Sequence, residues 1–76
     1  MEPYYKLANA IIETAARDYK NAYKQHCLYP KKVEYKIEME ELEKFFRSGW
    51  YKILTDVDAV YLMEGVRRMV REEVGV

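Results

Sequence analysis

Three sets of residues have the types from which a reactive or metal-binding centre is built. His26 and Cys27 are the only histidine and the only cysteine, the makings of a thiol nucleophile with its base or of two corners of a metal site. As neighbours on a helix they diverge by about 100° and do not face each other. They read instead as a part-buried thiol and a surface imidazole near a helix end. Asp56, Asp58 and Glu64 are oxygen donors suited to a hard cation. A calcium cage, however, needs at least about six oxygen ligands wrapped by a loop of set spacing, which is missing here, and helix capping accounts for both aspartates. Glu38, Glu40, Glu41 and Glu43 offer paired carboxylates for acid–base chemistry. They interleave with Lys and Arg on a face expected to be solvated, without the burial that would shift a pKa. There is no glycine-rich phosphate loop and no serine elbow. The chain therefore reads as a non-enzyme, with no catalytic residues, no cofactor and no metal ligands.

The elements that carry these residues are helices. Only three glycines and two prolines interrupt the chain, which favours long helices over many short strands. Pro3 suits a first helical position, where its missing N–H is no loss. From there Leu7, Ala8, Ile11, Ile12, Ala15, Tyr19, Ala22 and Tyr23 recur at three- and four-residue steps, the signature of one apolar helix face. Pro30 disfavours helical geometry at Tyr29, so this helix is expected to end near residue 28. A second helix is expected to begin within residues 30–34, with Tyr35, Met39, Leu42, Phe45 and Phe46 inward. Glu40 with Lys44 and Glu43 with Arg47 are i,i+4 pairs in the favourable order. Ser48-Gly49 breaks the pattern, and Ser48 can cap a short third helix from Trp50 to Leu54. Thr55-Asp56-Val57-Asp58 opens a last helix over about 57–73, with Ala59, Leu62, Val66, Met69 and Val70 inward, and Gly75 suits its stop. The expected fold is all-α: a long αα-hairpin plus a short helix and a final amphipathic helix, packed as a small bundle in one domain, 1–76.

Composition narrows the function classes. Half of the 76 residues are apolar, as a globular domain requires, and 13 basic residues balance 13 acidic ones. A general nucleic-acid binder shows an excess of Lys and Arg. No apolar run approaches the ~20 residues that span a bilayer, and residues 1–6 lack the basic-then-apolar pattern of a leader. With a lone cysteine, these features lead us to expect a reducing, soluble, cytoplasmic setting and no membrane partner.

Tyrosine is over-represented. Eight residues are Tyr, and Tyr5, Tyr19, Tyr23, Tyr35 and Tyr51 are each followed by Lys. Tyr19, Tyr23 and Tyr35 fit a core with hydroxyls at its edge. Tyr4, Tyr5, Tyr29 and Tyr51 are less easily absorbed and are free to supply contact area to a partner. Lys31 and Lys32 fit a solvated loop. Trp50, the only tryptophan, is expected to plug the core and dock the short helix. Exposed, it would be the leading hot-spot residue. Gly65 interrupts the last helix at a cost of about 1 kcal/mol relative to Ala, which close packing within the domain or across a dimer would offset.

The string Phe45-Phe46-Arg47-Ser48-Gly49-Trp50-Tyr51-Lys52-Ile53-Leu54-Thr55-Asp56-Val57-Asp58, with Ile11-Ile12 and Ala15 through Asp18-Tyr19, resembles small helical proteins carried by phages, prophages and integrative elements of Gram-positive bacteria. Their shared pattern joins an Ile-Ile…Ala…Asp-Tyr helix to Phe-Phe-x-Ser-x-Trp-Phe-x-x-Leu-Thr-x-x-Asp-Gly and a closing amphipathic helix. Tyr51 stands where Phe is usual and Ala59 where Gly is common. The resemblance implies an accessory gene of a mobile element, of the kind that redirects host machinery or defence systems. It brings no functional residues with it.

Two main functions follow. The leading expectation is a non-catalytic protein-binding accessory protein, with Arg47, Trp50, Tyr51, Arg67, Arg68 and Arg71 as candidate partner-binding residues. The alternative is a small DNA- or RNA-binding regulator with a helix-turn-helix-like C-terminal half, its arginines 47, 67, 68 and 71 on phosphates. Acidic Asp56 and Asp58 in the turn oppose that reading. A homo-oligomer is compatible with either, because a first helix about 37 Å long exceeds what so small a domain can cover.

Overall fold

The computed structural model describes residues 2–75, with side chains from Lys6 to Gly75. Tyr4 and Tyr5 therefore lie outside the described side chains. Among the described residues there are four helices and no strand: α1 (Glu2–Leu28), α2 (Val33–Phe46), α3 (Gly49–Leu54) and α4 (Ala59–Val74). The expected all-α hairpin with a short helix and a closing helix is what the chain forms.

The helix ends follow local chemistry. α1 closes two residues before Pro30, where the Tyr29 and Lys32 N–H groups bond back to Gln25 and Tyr29. The Ser48 hydroxyl accepts the Tyr51 N–H at 3.3 Å and donates to the Phe45 carbonyl at 2.6 Å, so it ends α2 and starts α3 together. Asp58, rather than Thr55 or Asp56, caps α4 by accepting the Tyr61 N–H at 3.0 Å. Thr55 instead closes a local turn by accepting the Val57 N–H, which delays the helix by two residues relative to expectation. Gly75 ends α4 in the left-handed region at φ 75°, where its N–H meets the Arg71 carbonyl. Replacing either cap by alanine, Ser48→Ala or Asp58→Ala, should lower unfolding free energy by about 1 kcal/mol, measurable by urea titration followed by circular dichroism. A loss below a few tenths would mean that the hydroxyl or carboxylate is not holding the helix.

α1 spans the molecule, whose long dimension is 43 Å, and packs on both α2 and α4. Tyr19 lies beside Glu43, so α2 runs back along α1, while Arg67 sits at Tyr19 and Glu73 at Lys20 and Lys24, so α4 runs parallel to α1. Ala8, Ala15 and Ala22 are all buried on α1 at seven-residue spacing, and small side chains there let the flanking helices close in. Between them the core collects Tyr19, Phe46, Tyr51, Met63 and Val66, with Ile12, Met39, Leu42, Phe45, Ala59 and Leu62 packed against it.

Three side chains expected inside are not. Leu7 and Met69 are exposed, and Met63 is buried in place of Met69. The inward face of α4 is centred on Val66 and Val70, and Met63 shares it at i−3 whereas Met69 falls about 100° from Val70. The largest correction concerns Trp50, which is 59% exposed, while its neighbour Tyr51 is 1% exposed. A six-residue helix can turn only one of two adjacent side chains inward. Tyr51 takes that place, with its ring 5.6 Å from Phe46 and 6.0 Å from Phe45, edge to face with both.

Candidate partner-binding surface

The six residues singled out from the sequence separate into three groups. Tyr51 is core, so it cannot offer contact area. Burial raises its hydroxyl pKa, the nearby Asp58 carboxylate adds to the shift, and the hydroxyl has no hydrogen-bond partner among the described residues.

Arg67 is drawn inward. Its Nε donates to the Tyr19 hydroxyl at 2.8 Å, the hydroxyl donates to Glu43 Oε2 at 2.8 Å, and Arg67 Nη2 lies 3.7 Å from the same oxygen. This closed triangle ties α4 to both arms of the hairpin. The hydrogen bond to Tyr19 holds the Arg67 guanidinium above its usual pKa, and burial pushes the Tyr19 phenol up to about 12. Glu43 also approaches Arg47 at 3.9 Å, as the i,i+4 spacing led one to expect. An arginine engaged in this way is a structural link rather than a free cation.

Arg47, Trp50, Arg68 and Arg71 remain at the surface. Arg47 and Trp50 stand three residues apart at the α2–α3 junction. A groove of about 460 Å³ opens between α3 and the start of α4, lined by Arg47, Lys52, Val57, Ala59 and Val60 among others. Val57 and Val60 are exposed large apolar residues, and neither stood out in the sequence. The faint signal was their place around the Asp58 cap, one position before it and two after it. The groove also carries exposed Asp56 and Asp58, so its two cations are balanced by two carboxylates, and Trp50 stands on the same short helix outside the groove's lining. The chemistry of this surface is that of contact and charge.

The residues considered first for reactivity stay apart. Cys27 is half-buried, and so is His26, whose Nδ1 has no hydrogen-bond partner among the described residues. Among the described residues no three His, Cys, Asp or Glu side chains converge as a metal site. Glu38, Glu40 and Glu41 are exposed, while Glu43 belongs to the Tyr19 triangle. Among the described residues no helix is long and apolar enough to cross a membrane. Tyr29 is exposed, with its ring 6.3 Å from Tyr35 and the Lys32 ammonium 6.0 Å from it. Lys32 is thus partly engaged at the hairpin turn.

These features define a small all-α domain that exposes its tryptophan on α3 and carries a groove of mixed charge between α3 and α4. Comparisons with protein-family models, with curated proteins and with solved structures each return no match to this chain.

Proposed function

We propose that the chain is a non-catalytic protein-binding protein whose partner docks on α3, with Trp50 as the anchor and Arg47 beside it. The observation that carries this reading is the exposure of the only tryptophan in the chain, while a smaller aromatic neighbour fills the core. Transferring an indole from water into a partner's pocket gains on the order of 2 kcal/mol or more, and Trp and Arg dominate interface energetics. Val57 and Val60 offer further apolar contact between α3 and α4, and Arg47 and Lys52 with Asp56 and Asp58 suit a partner whose rim carries both signs of charge. The resemblance to accessory proteins of mobile elements supports a host or element-encoded target in a bacterial cytoplasm, a defence protein among them.

The nucleic-acid alternative retains Arg68 and Arg71, both exposed on α4. It is weakened by the inward tie of Arg67 and by Asp56 and Asp58 in the connection between α3 and α4. Affinity capture of the tagged chain from a Gram-positive host lysate, with and without nuclease, separates the two. A stoichiometric protein should survive nuclease with the parent chain. It should be lost with Trp50→Ala, which should leave the thermal midpoint unchanged because the indole is not in the core. Retention of the same protein by Trp50→Ala would remove the anchor from the proposal, and loss of all partners on nuclease treatment would move the function to nucleic acid.

A further inference from the structure

α3 has two apolar faces, and the fold uses one of them. Of its residues Gly49–Leu54, Tyr51 and Leu54 turn towards the domain at an i,i+3 step, Tyr51 buried and Leu54 half-buried. Trp50 and Ile53, each one position earlier, form a second apolar pair at the same spacing, about 100° round the helix. That pair is 59% and 64% exposed. Turning α3 by one residue position about its axis exchanges the two pairs. Lys52 falls on neither face, so its ammonium stays outside in both positions.

The observed position leaves one group unsatisfied. The Tyr51 hydroxyl is buried with no hydrogen-bond partner among the described residues, and an unpaired buried hydroxyl is costly. The largest apolar side chain of the helix meanwhile stands in water. Turning α3 would return the hydroxyl to solvent and bury the indole. Edge-to-face contacts of Tyr51 with Phe45 and Phe46 oppose the turn, so gains and costs stand against each other. The slot can take the larger ring. Tyr51 lines the groove of about 460 Å³ between α3 and α4, which gives an indole room to spread, and Asp58 in the same lining offers an acceptor for its N–H. α3 is also lightly held at its ends. The Ser48 hydroxyl accepts the Tyr51 N–H at 3.3 Å, just beyond the usual range, and residues 55–58 join α3 to α4 outside any helix. We infer that α3 is a two-position element, which turns by one residue to exchange Tyr51 for Trp50 in the slot beside Phe45 and Phe46. The consequence rests on the reading of Trp50 as the partner's anchor: a partner captures only the outward form, so the turn sets its apparent affinity. The turn itself belongs to the free chain and is tested without a partner, so it can fail while the anchor stands.

Trp50 is the only tryptophan, so 5-fluorotryptophan reports on α3 alone. Fluorine NMR of the full chain should show a major solvent-exposed resonance in exchange with a minor shielded one, populated at about 1–10%. Tyr51→Phe removes the unpaired hydroxyl from the inward side and should shrink the minor population at least about fivefold. Tyr51→Lys cannot keep its ammonium in an apolar slot, so Trp50 should move inward, with emission shifted to the blue and acrylamide quenching reduced while circular dichroism still shows the helices. If Tyr51→Lys unfolds instead, the fluorine spectra of the parent and of Tyr51→Phe decide alone. A single resonance in the parent with no exchange contribution overturns the inference. So does a minor population that Tyr51→Phe leaves unchanged, or a folded Tyr51→Lys chain in which Trp50 is quenched as readily as in the parent.

Discussion

Replacing Phe46 by alanine should remove a large part of the chain's stability and lower its melting temperature sharply. Phe46 is 1% exposed, and its ring stands edge to face with Tyr19 at 5.6 Å, Tyr51 at 5.6 Å and Phe45 at 5.5 Å. It is the point where α1, α2 and α3 meet. Truncation removes the buried ring and leaves a cavity bounded by other rings, which are poorly able to collapse into it. A cost of about 3–5 kcal/mol is expected. A domain of this size has roughly 4–11 kcal/mol in total, so the loss takes about a quarter of its stability or more. The thermal midpoint, followed by circular dichroism, should fall by roughly 15–35 °C. The half-buried neighbour, changed as Phe45→Ala, should cost clearly less. A shift of only a few degrees for Phe46→Ala would show that α3 is not docked on the hairpin through these rings.

The second large effect is a loss of stability in alkali that originates at Tyr19. The phenol is fully buried, and its pKa is pushed up to about 12 from the usual 10.0, chiefly by burial, with the Arg67 hydrogen bond opposing and Glu43 adding. A group whose folded pKa lies above its unfolded value contributes stability that is complete below the unfolded pKa. That stability drains away as pH rises towards the folded pKa. The window is therefore about pH 10 to 12, and the amount is on the order of 2–3 kcal/mol. Tyr51 is shifted in the same direction, so it adds to the fall. Tyr19→Phe isolates the contribution: at neutral pH the variant should be less stable by about 1–2 kcal/mol, having lost two hydrogen bonds to charged partners. Its stability should then decline less steeply than that of the parent between pH 10 and 12. Urea titrations at several pH values measure both quantities. Parallel pH profiles for the two proteins would mean that the Tyr19 hydroxyl is not held between Arg67 and Glu43.

The helices were legible because their ends are marked by residues with strong local preferences. Pro30, Ser48, Asp58 and Gly75 act through contacts no more than four residues away, and such contacts leave a trace in spacing. What periodicity left open is the phase of the short elements. Over α3, Trp50 and Tyr51 differ by one position and about 100°, and six residues offer too few repeats to decide which points inward. The larger and more apolar side chain was the natural choice for the core, yet the slot beside Phe45 and Phe46 holds Tyr51. Over the longer α4 the difficulty was another one, since Met63 and Met69 lie three residues on either side of Val66, and it is buried Val70 that turns the inward face towards Met63.

The inward turn of Arg67 was illegible for another reason. It depends on Tyr19, 48 residues away, and on Glu43, which is 24 residues from Tyr19, and nothing local announces a pairing of that range. As a result the arginines of α4, alike in sequence, divide into one structural link and two exposed cations. The candidate surface was thus half visible: Arg47 and Trp50 could be named in advance, whereas Val57 and Val60 emerge only once α3 and α4 are placed.

The central claim is that the face around Trp50 is a protein-binding surface. The most direct measurement places a photo-crosslinking phenylalanine analogue at exposed Lys52 on α3 in host cells, leaving Trp50 intact, with the same analogue at exposed Glu40 on α2 as the control position. After irradiation, a discrete crosslinked protein should form from position 52 and be absent from position 40. No adduct from position 52, the same adducts from both positions, or adducts that are nucleic acid would contradict the account.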